Sequence, residues 1–198
     1  MSMQLQDGTG FGYRAKVTEG NKLLTQAVTE TQSDHHSEIG KRFNINTGDI
    51  TLTGNATASG VLYFKNNEDE DFHITVVVYN LGNSTSGTGD SLIEIIKNPT
   101  AGTLISNAVA VSVNSNFNFG SALDLSATAY KGAEGYTITD GSVFTTTRSS
   151  ANGRIALTLG DIIIPKGSSL GIRYTTQTSN SSQKVQFAVS GFLQTLAE

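Results

Sequence analysis

The sequence predicts an all-β protein, an antiparallel β-sandwich of the jelly-roll type that carries an extended N-terminal arm or hairpin. Short apolar runs recur about every 8–15 residues, and Gly, Asn, Ser or Pro bounds each run, which is the spacing of a sandwich. No segment keeps the apolar period of a helix over about 12 residues. Strands do not alternate with helical segments either, so a parallel sheet is not expected.

Residues 1–40 differ from the rest and are predicted to form an arm, ahead of a sandwich domain over residues 41–198. In the arm, one extended run ends near Val17, residues 19–21 form a turn, and a second run covers residues 23–31. Because an isolated hairpin is marginal in water, the arm is expected to dock on another subunit or on the underlying shell, with the sandwich facing outward. The alternative is that the arm folds back on its own sandwich. The predicted docking residues are its apolar side chains, Phe11, Tyr13, Val17, Leu23, Leu24 and Val28.

The strands of the sandwich follow in order, and the longest covers residues 72–81. Both faces of this strand are largely apolar, which predicts a central strand covered on both sides. A short helix is expected near residues 122–133, and Pro165-Lys166-Gly167 forms a corner between two strands. Further strands are predicted at residues 43–45, 50–52, 61–64, 92–96, 109–113, 143–147, 155–159, 162–164, 170–175 and 185–192. The residues predicted to point inward are Phe72, Ile74, Val76, Val78, Val109, Val111, Ile155, Leu157, Ile172, Val185 and Phe187.

The composition excludes several classes of function. The formal net charge is −4 and no basic run exists, so a nucleic-acid partner has no electrostatic footprint. The chain has no Cys, which excludes a disulfide framework, and no apolar stretch approaches the roughly 18–20 residues of a membrane helix. The N-terminus lacks the charged and apolar regions of a signal peptide, so the protein is expected to be made and folded in a cytoplasm.

One group of metal-ligand residue types stands out in the arm, namely Asp34, His35, His36 and Glu38. In an extended chain neighbouring side chains point to opposite faces, so His35 and His36 cannot share one ion. The segment is therefore interpreted as a solvated linker. One His from each subunit could still form a ring around a three-fold axis, but no metal site is predicted.

Motifs for catalysis and for cofactors are absent from the sequence. His73 lies in the longest strand without a G-x-S-x-G elbow, so a partly buried structural histidine is predicted. The acidic turn at residues 68–71 lacks the spacing of a Ca²⁺ loop. Gly8, Gly10 and Gly12 precede a strand and do not open a helix, which excludes a nucleotide loop. The chain is therefore predicted not to be an enzyme and to hold no cofactor.

Seven short segments, spread over most of the chain, are similar to segments of a known protein family. They are Asp7-Gly8-Thr9-Gly10, Ala15-Lys16-Val17, Asn21-Lys22-Leu23, Phe43-Asn44-Ile45-Asn46-Thr47-Gly48, Val61-Leu62-Tyr63-Phe64-Lys65-Asn66, Ala129-Tyr130-Lys131-Gly132-Ala133-Glu134-Gly135 and Ile164-Pro165-Lys166-Gly167-Ser168-Ser169. Together they resemble an uncharacterised family of tailed-bacteriophage virion proteins. The resemblance implies a particle component, such as a capsid decoration protein, the base of a head fibre or a tail-associated protein.

The resulting expectation is a non-enzymatic virion protein, a capsid decoration or adaptor protein that assembles as a homo-oligomer, most simply a homotrimer. Its partners would be other copies of itself and the major capsid protein or another virion protein, with no nucleic acid and no membrane. The alternative is a carbohydrate- or receptor-binding module of a tail or head fibre. Because Trp is absent, its aromatic platform would come from Tyr13, Tyr63, Tyr79, Tyr130, Tyr136 and Tyr174. Candidates for ion pairs between subunits are Arg14, Arg42, Arg148, Arg154 and Arg173.

Overall fold

The structure is a computed structural model, and it describes residues 16–17, 23–24, 31–53, 58–82, 90–149, 153–157, 162–176 and 182–195. The chain divides into two compact units, Met1–Thr31 and Gln32–Glu198. In the first unit, strand β1 (Lys16–Val17) pairs antiparallel with strand β2 (Leu23–Leu24), on either side of the turn predicted at residues 19–21. The predicted arm runs to Gly40, whereas residues 32–40 belong to the second unit.

Two short helices and twelve strands make up the described part of the second unit. The elements are α1 (Gln32–Glu38), β3 (Arg42–Asn46), β4 (Ile50–Leu52), β5 (Ala58–Asn66), β6 (Asp71–Leu81), β7 (Ser91–Lys97), α2 (Thr103–Ser106), β8 (Val109–Ala110), β9 (Ala127–Lys131), β10 (Ser142–Ser149), β11 (Gly153–Leu157), β12 (Ile162–Ile164), β13 (Ser169–Thr175) and β14 (Gln183–Gln194).

These strands form two antiparallel sheets packed against each other, which confirms the predicted all-β sandwich. The first sheet has the order β10-β7-β13-β5-β9-β8, and the second has the order β11-β6-β14-β3, with β12 beside β6 and β4 beside β14. The pairs are nested: β3 and β4 pair with β14, β5 with β13, β6 with β11 and β12, and β7 with β10. The second half of the chain thus runs back along the first half, and successive pairs lie in alternate sheets.

The core lies between the two sheets and is built from alternate residues of their strands. The side chains of Phe72, Ile74, Ile172, Val185 and Phe187 are buried there, as predicted. Their burial removes large apolar surfaces from water, which is the dominant favourable term in folding. A second, smaller cluster covers the outer face of the first sheet and consists of Tyr63, Ile96, Leu104 and Ile138.

A β-bulge in β6 makes the predicted inward positions of Val76 and Val78 wrong. Ser190 of β14 pairs with Val76 and Gly191 pairs with Ile74, so Thr75 is the extra residue of the bulge. One extra residue exchanges the two faces of a strand. Beyond the bulge the core therefore receives Val77, Tyr79 and Leu81, whereas Val76 and Val78 lie half-buried on the outer face.

The bulge also depends on the absence of a side chain at Gly191. A Cβ atom there would lie 2.3 Å from the carbonyl oxygen of His73 and 2.6 Å from the Phe72 ring. Strand β6 lies between β11 and β14 and is therefore central in its sheet, as predicted, but it is not fully covered on both faces, since Val76, Val78 and Asn80 are only half-buried on the outer face. The strand that is buried on both faces over most of its length is β5, which lies inside the first sheet.

The four other inward predictions have different outcomes. Val109 is 59% exposed, because β8 has only two residues and lies at the edge of its sheet, so that prediction is wrong. Val111 and Leu157 are partly buried and pack against the core. The side chain of Ile155 lies outside the described residues.

The helices do not lie where the sequence predicts one. Residues 127–131 of the segment 122–133 form β9, and the helix α1 lies in the segment interpreted as an extended linker. Helix α1 buries no side chain fully, so it has no apolar period that the sequence could display. The helix ends at Glu38 and is capped by Gly40, whose φ of 74° is left-handed, with Lys41 N donating to His36 O and Gly40 N donating to Ser37 O. This is a Schellman C-cap, which favours glycine.

Candidate functional site

The most unusual surface of the second unit is the strand β10 at the edge of the first sheet. It pairs with β7 on one side, and no strand in the described part of the chain pairs with its other side. Most of its side chains are exposed on both faces, including Val143 at 51% and Phe144 at 55%. It carries one charged residue, Arg148, and one β-bulge, at Phe144, and it contains no proline. Natural edge strands are usually protected against unwanted pairing by charges, prolines or bulges. Beyond the bulge, Arg148 is the one such feature of β10, so residues 145–149 are open to an added strand.

An apolar groove lies beside this edge, between the two sheets. It has a volume of about 460 Å³, and its walls come from β7, β10, β12 and the start of β13. Phe144 of β10 stands on one side, and Ile163 of β12, which is 44% exposed, stands on the other. Apolar side chains that face water around an open edge are typical of a protein contact. We name β10 together with this groove the open edge.

The wall formed by the Pro165-Lys166-Gly167 corner is held in place by hydrogen bonds. Gly167 has a φ of 78°, and its N–H donates to the carbonyl of Asn66. Ser169 Oγ donates to Pro99 O, and Ser169 N donates to the side chain of Asn98. The groove is therefore part of the rigid sandwich and does not depend on a loose loop.

The sequence-predicted docking residues of the arm are only partly described. Phe11, Tyr13 and Val28 lie outside the described residues. The backbone of Val17, Leu23 and Leu24 forms β1 and β2, and their side chains are not described. These six residues stay a prediction. The open edge was missed from the sequence, although the adjacent pair Val143-Phe144 followed by three threonines does not alternate as a half-buried strand should.

The histidines lie in a stack of rings and not in a metal site. His36 of α1 stacks on Phe192 of β14 with 4.4 Å between ring centroids, and His73 of β6 stacks on the same ring at 5.3 Å. Atoms His36 Nδ1 and His73 Nε2 are buried and make no hydrogen bond. Burial, followed by the proximity of His35, lowers the pKa of His36. No group of three or more metal-ligand side chains lies together in the part of the chain that the structure describes.

The acidic turn at residues 68–71 is tied into the fold. Lys41 Nζ donates to Glu70 Oε1 at 2.6 Å, and Thr195 Oγ1 donates to the same oxygen at 2.7 Å. The Lys41 contact is the first cause, and the Thr195 contact the second, of the lowered pKa of Glu70. Lys166 pairs with Asp69 in the same turn. These carboxylates thus connect the turn to neighbouring elements.

The arginines and tyrosines named by the sequence have different surroundings. Arg173 pairs with Glu94 at 3.1 Å across two neighbouring strands, and Arg148 lies exposed on β10. Arg14 and the side chain of Arg154 lie outside the described residues. Of the described tyrosines none is exposed: Tyr63, Tyr79 and Tyr174 are buried, and Tyr130 and Tyr136 are half-buried. They do not form the exposed platform that the carbohydrate-binding alternative expects.

Comparisons of the chain with protein families and with curated proteins found no match. The helices among the described residues have seven and four residues, and neither is long enough to cross a membrane.

Proposed function

We propose that this chain is a non-enzymatic structural protein of a tailed-bacteriophage virion, a capsid decoration or adaptor protein that assembles as a homo-oligomer on the particle. The open edge is the observation that carries the assembly part of this proposal. A long edge strand beside an apolar groove gains backbone hydrogen bonds and apolar contacts when another chain adds a strand to it. The resemblance of the seven sequence segments to virion proteins supports the particle as the location.

The nested strand pairing supports a jelly-roll connectivity. Counted in chain order, with β3 and β4 as one strand and β11 and β12 as another, the sandwich has eight strands outside the β8 and β9 extension. The first pairs with the last, the second with the seventh, and so on inward. A jelly roll is such an eight-stranded double sheet and is common in viral capsid proteins and in lectins.

The arm of a neighbouring copy is the occupant that we assign to the open edge. Among its described residues the first unit has two paired strands of two residues each, and it is a compact unit distinct from Gln32–Glu198. So small a hairpin needs a partner surface, and its alternating apolar residues suit addition to a sheet edge. An arm that docks on the next subunit gives a head-to-tail contact, which closes into a ring when the rotation is suitable. A homotrimer is the ring that we expect.

The assembly proposal is tested by introducing charges at the open edge. The double variant Val143→Asp, Phe144→Asp should sediment as a monomer, because an added strand would cover two carboxylates, the one at position 144 beside the apolar groove. Val109→Asp is the matched control, since Val109 is also an exposed apolar residue on an edge strand of the same sheet. It should keep the oligomer of the unchanged chain. Sedimentation velocity gives the assembly state, and thermal unfolding followed by circular dichroism verifies that each variant is folded.

Four results would each contradict part of the proposal. A monomeric wild-type chain at micromolar concentration removes the assembly part, and so does equal behaviour of the two aspartate variants. Mass spectrometry of purified phage particles tests the location, and absence of the protein from them removes the virion assignment. Turnover of ester, glycoside or peptide substrates by the purified chain would contradict the non-enzymatic assignment.

A further inference from the structure

A trough runs along the outer face of the second sheet, above the middle of β14. The floor is made of two small residues, Ala188 and Ser190, and larger side chains of β3 and β6 stand on either side. This arrangement leaves a concavity of about 480 Å³, which is within the size range of small-ligand sites. The strand register gives two rows across the trough, Asn46-Ala188-Val78 and Asn44-Ser190-Val76.

The hydrogen bonds around the trough use its acceptors and leave donors free. Ser190 Oγ donates to Asn44 Oδ1 at 2.8 Å, and Gln186 Nε2 donates to Asn46 Oδ1 at 3.0 Å. Gly48 N also donates to Asn46 Oδ1. Within the described part of the chain, the amide nitrogens of Asn44 and Asn46 donate to no group. A ligand at this wall therefore meets N–H donors.

One end of the trough carries a positive charge without a counter-charge. The Arg42 guanidinium lies 4.2 Å from the centre of the Phe117 ring, and its Nη1 donates to Ser37 Oγ at 3.4 Å. Its Nε is buried and has no acceptor. Among the described residues no carboxylate pairs with Arg42, and none lines the trough. A guanidinium without a carboxylate partner favours the binding of a carboxylate, which can accept two of its hydrogen bonds.

We propose that this trough binds an acidic saccharide. The sugar carboxylate pairs with Arg42, ring hydroxyl oxygens accept hydrogen bonds from the amides of Asn44 and Asn46, and the C–H face of the ring packs on Val76 and Val78. The amide nitrogens of Asn44 and Asn46 and the outer guanidinium nitrogens of Arg42 are donors around the trough, and a saccharide acid supplies both charged and neutral acceptors. The apolar side chains of Val76 and Val78 distinguish such a ligand from a bare anion, which has no apolar surface to pack against them. This binding function is separate from assembly through the open edge, because no residue lines both sites.

The first test compares the binding of an acidic saccharide with that of its uncharged methyl ester. Tetragalacturonate and sialyllactose are titrated into ¹⁵N-labelled protein, and the side-chain amide signals of Asn44 and Asn46 are followed by NMR. At least one of the two acids should bind saturably at millimolar concentration. Its methyl ester should bind about tenfold or more weakly, because the charge-assisted hydrogen bonds to Arg42 are lost. Inorganic phosphate is the third probe and should not displace the sugar at equal concentration.

Variants locate the binding in the trough. Arg42→Gln should weaken binding of the acid about tenfold or more and abolish the difference between acid and ester. Ala188→Phe fills the floor and should abolish binding of both, with an amide spectrum that stays dispersed. Lys184→Gln is the matched control, since Lys184 is an exposed cation that also points outward from β14 but does not line the trough. It should leave the affinity unchanged.

The proposal is overturned if neither acid binds at millimolar concentration. Equal binding of acid and ester, full displacement by phosphate, or equal effects of Arg42→Gln and Lys184→Gln would each overturn it as well. These outcomes do not affect the assembly proposal, because binding is measured in solution at a site remote in the sheet topology from β10. A monomeric chain that binds tetragalacturonate would contradict the assembly proposal and support the trough.

Discussion

Asn66 connects three segments at the end of the sandwich next to the open edge. Its side-chain Nδ2 donates to the carbonyl oxygens of Glu70 and Ile164, both at 2.9 Å, and its Oδ1 accepts from Glu68 N. The residue is fully buried. A buried amide is stable only when its polar groups are paired, and here the partners are backbone groups that would be left unpaired without it.

Replacing Asn66 tests how much these hydrogen bonds next to the groove contribute to the stability of the fold. We expect Asn66→Ala to lower the free energy of unfolding by about 2–3 kcal/mol, because the buried carbonyl of Ile164 and the half-buried N–H of Glu68 lose their partners. Asn67→Ala is the control, since the neighbouring Asn67 is exposed and its one side-chain bond is to the Thr128 hydroxyl. Its effect should stay within about 0.5 kcal/mol. Urea unfolding measures both, and equal effects would contradict the role given to Asn66.

At the scale of elements, helix α1 is attached to the second sheet by two contacts that depend on pH. His36 stacks on Phe192 of β14, and Lys41, directly after the helix cap, pairs with Glu70. Residues that face His36 with a charge or a titratable group are His35, Lys41, Glu70 and His73. Burial lowers the pKa of His36 below its ordinary value of 6.5, and the Lys41 contact lowers the pKa of Glu70 below its ordinary value of 4.5.

Both shifts predict a loss of stability in acid, in different pH ranges. The folded state binds protons at these two sites less readily than the unfolded state, so stability falls as the pH decreases below each ordinary value. His36→Phe keeps the ring stack and should remove the loss that begins below pH 6.5. Glu70→Gln should lower stability at neutral pH and reduce the further loss that begins below pH 4.5.

Urea unfolding at a series of pH values measures these effects. Lys184→Gln is a suitable control, because its ion pair with Asp49 is long at 3.8 Å and exposed. Its pH profile should match that of the unchanged chain. A His36→Phe profile identical to wild type between pH 7 and 5 would show that the helix is not held by a neutral histidine, contrary to the pKa direction.

At the scale of the whole molecule, the absence of cysteine allows the assembly geometry to be tested directly. The double variant Val17→Cys, Thr146→Cys places one thiol in the arm and one on β10. If the arm of each subunit docks on the next subunit, mild oxidation should link these two positions between chains and close a covalent trimer. Non-reducing electrophoresis and mass spectrometry of the linked peptides identify the product.

The single variants separate the alternative geometries. Thr146→Cys alone should stay unlinked, whereas a symmetric pairing of β10 with itself would give a disulfide-linked dimer. Val17→Cys alone should also stay unlinked. A link between Val17→Cys and Thr146→Cys within one chain would contradict docking on a neighbour and would indicate that the arm folds back on its own sandwich.

Local patterns in the sequence were enough to predict the fold class and most of the strands. Alternating apolar residues and the turn residues between them are local signals, and they placed the strands now seen as β3 to β7 and β10 to β14. The proline corner before β13 was also predicted, because proline cannot donate to a sheet wherever the chain folds. Helix α1 was not predicted, because a seven-residue helix with no fully buried side chain shows no apolar period in the sequence.

The positions of the two candidate binding surfaces, the trough and the open edge, depend on contacts between strands that are distant in the sequence. The bulge at Thr75 exchanges the faces of β6, and it arises because Gly191 of a distant strand lets the backbone of β6 come close. That exchange puts Val76 and Val78 beside Ala188 and so creates the trough. The open edge also depends on the tertiary structure, because a strand lies at the edge of a sheet only when no other strand pairs with one of its sides. Pairing between strands far apart in the sequence is a long-range property, and a local pattern specifies which residues can form a strand but not its neighbours.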